Sequence, residues 1–141
     1  MTDRILPRSP RETMDGWVYL PRYVDKIRLH LAGRLHPDYH ENLGKGMDAV
    51  WLRAAGLTHD AMVEVVRGTL TDGEVCDWVR RNVRRSPAEK EAHRHEVMDF
   101  PPRDNPAALR LFEKRKADYG LGGREDVRVR PDLLDADEGR M

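Results

Sequence analysis

The sequence predicts an all-α fold: a single compact domain, residues 1–141, of about six short helices with irregular N- and C-terminal segments. Three observations predict it. Ser, Thr or Asp caps followed by Gly or Pro stops recur at helix-length intervals. Apolar residues return after three or four positions rather than two. The β-branched alternation that a sheet needs is nearly missing, so no sheet of any size is expected.

Taken in order, residues 1–15 read as an N-terminal arm broken by Pro7 and Pro10. One helical turn is expected at Ser9-Pro10-Arg11-Glu12, where Ser and Glu have the spacing of a capping box, with Gly16 ending it. Residues 17–20 are a short apolar run entering the core as a single extended segment. The main helix opens at Pro21, where the missing N–H is no loss. Val24, Ile27, Leu31 and Leu35 give its apolar stripe, and Gly33 with Pro37 brings it to an end.

Asp48 is expected to cap a second helix, with Val50, Trp51 and Ala54 or Ala55 on one face and Gly56 as its stop. Thr58 caps a third, with Met62, Val65 and Val66 inward and Gly68 at its end. Thr71-Asp72-Gly73-Glu74 is a capping box for a fourth, whose apolar face is Val75, Trp78 and Val79. Ser86-Pro87-Ala88-Glu89 opens a fifth that runs to about Met98, before Pro101 and Pro102 forbid continuation. The sixth starts at Asp104-Asn105-Pro106, carries Leu109 and Phe112, and stops at Tyr119-Gly120. Residues 122–141 read as a polar C-terminal segment. Val127 and Val129 alternate there in a short extended piece, and Leu133 with Leu134 anchors an acidic run.

Composition narrows the partners. The chain is 39% hydrophobic and 35% charged, so each helix turns a broad face to water. Lys plus Arg and Asp plus Glu are 25 each, so there is no basic excess and nucleic acid is not an expected partner. The one basic concentration, Arg80, Arg81, Arg84 and Arg85, sits at a helix C-terminus without interleaved aromatics and reads as dipole compensation. Cys76 is the only cysteine. It allows no internal disulfide, fits a reducing cytoplasm, and reads as a buried inert thiol. No apolar run reaches bilayer length, and the charged, proline-broken start does not read as a secretory signal, so no membrane is expected.

The candidate chemistry gathers around the main helix. Arg22, Lys26 and Arg28 are the expected ligand-binding cations for an anionic small molecule, with Asp25 orienting them. The competing reading is plain surface pairing of Asp25 with Arg22 or Arg28. Asp25, Tyr39 and His40 are the catalytic candidates, Tyr39 and His40 for hydrogen bonding or proton transfer near neutral pH. No recognised catalytic signature accompanies them.

His36, Asp38 and His40 alternate in a polar loop. If extended, the loop presents all three to one metal; otherwise its imidazoles cap the preceding helix. His93 and His95 point to opposite sides of a helix and read as surface partners of Glu89 and Glu91. Asp135, Asp137 and Glu138 do not have the spacing of a calcium loop and read as a solvated tail, or as a wall closing the site. No cofactor motif is identified.

A family resemblance covers most of the chain. It is carried by Arg8-Ser9-Pro10-Arg11-Glu12 with Gly16, by Leu20-Pro21-Arg22 with Asp25-Lys26, Arg28 and Leu31-Ala32-Gly33, and by residues 132–140. Trp51-Leu52 to Gly56-Leu57 and Glu74-Val75 to Trp78-Val79 fit between them. In these the chain resembles a bacterial family known only as a domain of unknown function, number 5069.

Members tend to have a Gly-Glu-Tyr-like turn after the central helix. Here residues 36–40 match only at Tyr39-His40, so three-ligand metal binding is not a family feature. Residues 93–119 match loosely. The resemblance implies no activity, substrate or cofactor, but it implies that residues 22–28 and the acidic end face each other across one cleft. The expected function is therefore a small cytoplasmic domain with a polar site for an anionic small molecule. The alternatives are a non-catalytic interaction or homodimerisation module, and metal binding through the 36–40 loop.

Overall fold

In a computed structural model, which describes residues 4–141, the chain enters its core through a small hairpin. Strands β1 (Thr13–Met14) and β2 (Trp17–Val18) pair antiparallel, Thr13 with Val18 and Met14 with Trp17. That register leaves Asp15-Gly16 as a two-residue loop. Both residues have positive φ, 51° and 78°, the type I′ geometry that matches the twist of paired strands. The extended segment expected at 17–20 thus has a partner strand and ends at Val18. Upstream, Ser9 to Glu12 forms a single reverse turn closed by Glu12 N–H to Ser9 O at 3.1 Å, not a helical turn.

Tyr19, itself at φ 74°, turns the chain straight into α1 (Leu20–Leu31). A bulky residue in the left-handed region is strained. Tyr19 is held by its hydroxyl, which donates to Asp48 Oδ1 at 2.5 Å. Leu20, Tyr23, Val24 and Ile27 of α1 are buried. The helix stops two residues before Gly33, whose φ is 69°, so Leu35 lies beyond it, buried in the following segment.

The five expected helices follow as α2 (Met47–Ala55), α3 (His59–Arg67), α4 (Asp72–Asn82), α5 (Pro87–Met98) and α6 (Pro106–Asp118). Thr58 caps α3, Thr71 and Ser86 close full capping boxes, and Asn105 caps α6. One cap differs from expectation. Gly46, not Asp48, precedes α2, and Asp48 is turned into the core. A seventh helix, α7 (Arg130–Asp137), stands where a solvated tail was expected, and Val129 just before it is extended. Asp132 Oδ2 accepts the N–H groups of Arg128 and Val129 at 2.9 and 3.2 Å, and Arg130 N–H donates to Phe100 O at 2.8 Å.

The main core gathers Trp17, Tyr23, Trp51, Met62, Val75 and Val79, with Trp17 edge-on to Trp51 at 6.1 Å. A separate small cluster of Phe112, Val127 and Leu133 joins α6 to α7.

His93 belongs to the main packing and not to the surface. It is 2% exposed and edge-on to Trp17 at 5.2 Å, and neither ring nitrogen has a hydrogen-bond partner. Burial drives its pKa down to about 4, with Glu96 opposing. His95 stays outside, 3.3 Å from Glu91 and 2.6 Å from Asp99. Cys76 is half-buried, with Arg80 Nη2 3.5 Å from its sulfur. Arg80 also reaches Asp15 and Asp77, while Arg85 donates to the carbonyls of Ala54 and Ala55 at the end of α2. No helix of the described residues is long and apolar enough to cross a membrane.

Candidate functional site

A cleft of about 700 Å³ lies between α1, the 37–47 segment, α6 and α7. Its first wall comes from α1. Arg22 and Lys26 are one turn apart and share a face, so both reach the cleft. Each is locked to a buried acid.

The Arg22 fork is bidentate on Glu138, Nη1 to Oε1 at 2.8 Å and Nη2 to Oε2 at 2.7 Å, with side chains 2% and 0% exposed. Tyr39 donates its hydroxyl to Glu138 Oε2 at 2.7 Å, and Arg140 also pairs with Glu138. Burial alone would raise the Glu138 pKa. The Arg22 fork, assisted by the Tyr39 hydroxyl, outweighs it and holds the carboxyl below its ordinary value.

Lys26 Nζ donates to Asp48 Oδ2 at 2.8 Å, and Gly44 N–H donates to the same oxygen at 2.8 Å. Burial lowers the Lys26 pKa against the pull of Asp48, and the charges of Arg22 and Arg130 lower it further. The Tyr39 ring sits beneath two guanidinium groups, Arg4 and Arg22, at 5.8 and 5.7 Å. Burial pushes the Tyr39 hydroxyl well up, and Glu138 pushes it further.

The second wall differs. Lys114 and Arg115 of α6 and Arg130 at the start of α7 line it. Arg115 Nε is buried with no hydrogen-bond partner. Among the described residues, neither Arg115 nor Arg130 has a side-chain hydrogen bond or ion pair. Burial depresses the Arg130 pKa first, and the like charge of Arg115 depresses it further. Seven basic and four acidic side chains line the cleft, and since Arg22 and Lys26 are answered by Glu138 and Asp48, the remaining positive excess is small.

The structure divides the expected site residues. Arg22, Lys26 and Tyr39 line the cleft; Arg28, Asp25 and His40 do not. Asp25 and Arg28, three apart, share a neighbouring face of α1. Asp25 accepts Arg8 through Nε, Nη2 and the backbone N–H, each at 2.9 Å, and Arg28 donates to Asp72 at 2.6 Å. Asp25 therefore does not orient Arg22, Lys26 or Arg28.

The 36–40 loop is not extended. Pro37–Tyr39 is a tight 3-10 turn; it keeps His36 Nδ1 3.6 Å from Asp38 Oδ2 but turns His40 towards Leu35. His36 Nδ1 accepts Asp38 N–H at 3.1 Å, and His40 Nε2 lies 2.7 Å from Leu35 O. Among the described residues no three His, Cys, Asp or Glu side chains are placed to hold a metal ion.

The acidic end is structural on one side and faces the cleft on the other. Asp135 is buried against Arg11 at 2.5 Å and Ser9 at 3.1 Å, while Asp137, held by Arg4 at 2.9 Å, lines the cleft.

Sequence reasoning missed Asp48, Tyr19, Arg115 and Arg130. For Arg130 a signal existed. Arg-Pro-Asp begins a helix, and a cation at a helix N-terminus opposes the dipole, a local cost with no local return. For Arg115 no signal existed, since cations near the end of α6 are ordinary.

The family model of a domain of unknown function, DUF5069, matches residues 4–140. No curated protein matches the chain.

Proposed function

Since the chain belongs to the DUF5069 family, whose description assigns no function, we propose a role from the cleft alone: it binds an anionic small molecule. The observation that carries this is the Arg115 and Arg130 pair, whose guanidinium groups have no hydrogen bond or ion pair among the described residues. Holding two guanidinium groups near each other, partly out of water and without a contacting counter-charge, costs free energy. An oxyanion bridging Arg115 and Arg130 offsets that cost, and planar forks suit carboxylate or phosphate oxygens. Lys114 and Lys45 add to the field that draws an anion in. Arg22 and Lys26, already neutralised, shape the opposite wall.

The reading is binding and not turnover. Tyr39 and Tyr19 are both held above their ordinary pKa, mainly by burial, and serve as hydrogen-bond donors at neutral pH. The half-buried lone thiol suits the reducing cytoplasm, where we place the protein. An interaction or dimerisation role has less behind it. The exposed large apolar side chains Ile5, Leu70, Leu111, Tyr119 and Met141 are scattered along the sequence, and Leu111 and Tyr119 already line the cleft.

The test is a titration with inorganic phosphate and with acetate, followed by thermal shift and calorimetry. The wild type is compared with an Arg115→Gln, Arg130→Gln double variant. Stabilisation of the wild type and not of the variant is expected. Neither anion raising the wild-type Tm above the variant's response overturns the reading.

A further inference from the structure

Beside the cleft lies a second chamber of about 280 Å³, lined by Gly46, Met47, Val50, Val97, Phe100 and Arg130. Its one acid, Glu96, is engaged by Arg53 at 2.8 Å. Met47 and Arg130 line both spaces, so the two meet at the Arg130 side chain. Whole ligand pockets commonly measure about 300–1,000 Å³. The chamber falls short of that by itself and reads as an annex of the cleft.

An inorganic anion has no use for the annex, whose walls are mostly hydrocarbon. Arg130 is amphipathic, a charged fork on an apolar stem, and can hold a head group while its stem flanks a tail. Gly46 flanks the fork: a Cβ there would meet Arg130 Nη2 at 3.4 Å, an ordinary contact.

We propose that the ligand is an organic oxyanion with a short hydrocarbon group, its head on Arg115 and Arg130 and its tail beside Met47, Val50, Val97 and Phe100. This rests on the anion-binding reading above and names the class of molecule that site takes. Carboxylates and phosphate monoesters share the required head.

The experiment titrates the full chain with acetate, butanoate and hexanoate, with the matching alkyl phosphates, and with 1-hexanol. Affinity is expected to rise about fourfold per added methylene until the annex is full. Whichever head group shows the rise identifies the class. Arg130→Gln is expected to weaken every anion, and Val50→Phe to cancel the chain-length gain.

Equal affinity along the series, with short anions still dependent on Arg130, overturns the tail site and leaves anion binding intact. 1-Hexanol binding as tightly as hexanoate also overturns it, because head and tail would then not be one ligand. No anion binding at any length overturns both. Should Val50→Phe fail to fold, the wild-type series decides alone.

Discussion

The two walls of the cleft carry the same kind of charge and treat it in opposite ways. On α1, Arg22 and Lys26 are buried to 2% and 4% exposure, and each meets a buried carboxylate. On α6 and α7, Arg115 and Arg130 face the same space with no acid paired to them among the described residues. A buried cation with a fitted partner belongs to the fold, because removing either member strands the other. A cation held near another cation adds little to the fold, and that contrast is the basis of the anion-binding proposal.

The largest expected effect tests the paired wall. Arg22→Ala leaves Glu138 buried with only Tyr39 and the partly exposed Arg140 to answer it and should cost about 3 kcal/mol in urea denaturation, the low end for a broken buried pair. Arg130→Gln should cost nothing in the same measurement, and a gain is the sharper outcome. Equal losses would break the comparison.

The second effect tests the other wall. Arg130→Gln should weaken phosphate or acetate binding at least tenfold, about 1.4 kcal/mol by calorimetry. Tyr39→Phe should change it far less, since the Tyr39 hydroxyl is spent on Glu138.

Acid gives a third contrast. The Glu138 pKa is held below its ordinary value, so the Arg22 pair stabilises fully above the unfolded carboxyl's pKa and is lost as pH falls through the depressed one. His93 acts earlier. Folding lowers its pKa from 6.5 to about 4, so the unfolded chain binds the extra proton between those values and stability falls as pH drops across them. Relaxation of the ring towards water reduces the full effect to roughly 2 kcal/mol. His93→Phe should remove this early loss while keeping the edge-on contact with Trp17, which urea midpoints at pH 7 and pH 5 would reveal.

The smallest effect is a control. Thr71→Ala deletes the cap of α4 and should cost about 1 kcal/mol without altering anion affinity.

Five helices were legible because their determinants are local: Thr58, Thr71 and Ser86 cap within three residues, and Gly56 or Pro101 stops within one turn. The hairpin had an equally local sign, Asp15-Gly16 between apolar residues, but strands of two residues are too short to show alternation.

α7 was hidden for another reason. Its stability comes from afar: Leu133 against Phe112, Asp135 against Arg11, and Glu138 against Arg22. In sequence those acids resemble a solvated tail. Arg22, Lys26 and Arg28 stood out together as cations of one helix. Whether a cation has an acid opposite is a fact of three dimensions, so the split between Arg22 and Arg130 could not be read from spacing.

The first and last stretches of the described chain are fastened to each other. Arg4 holds Asp137, Arg11 holds Asp132 and Asp135, and Arg140 donates back to Pro7 O at 2.6 Å. Trimming either stretch therefore unbuckles the other, and a protease that nibbles at residues 4–11 would also loosen the helix that carries Arg130. Conversely, a circular permutant opened at the exposed Gly122-Gly123 loop, with the old ends joined by a short linker, would keep this clasp and tolerate the new break.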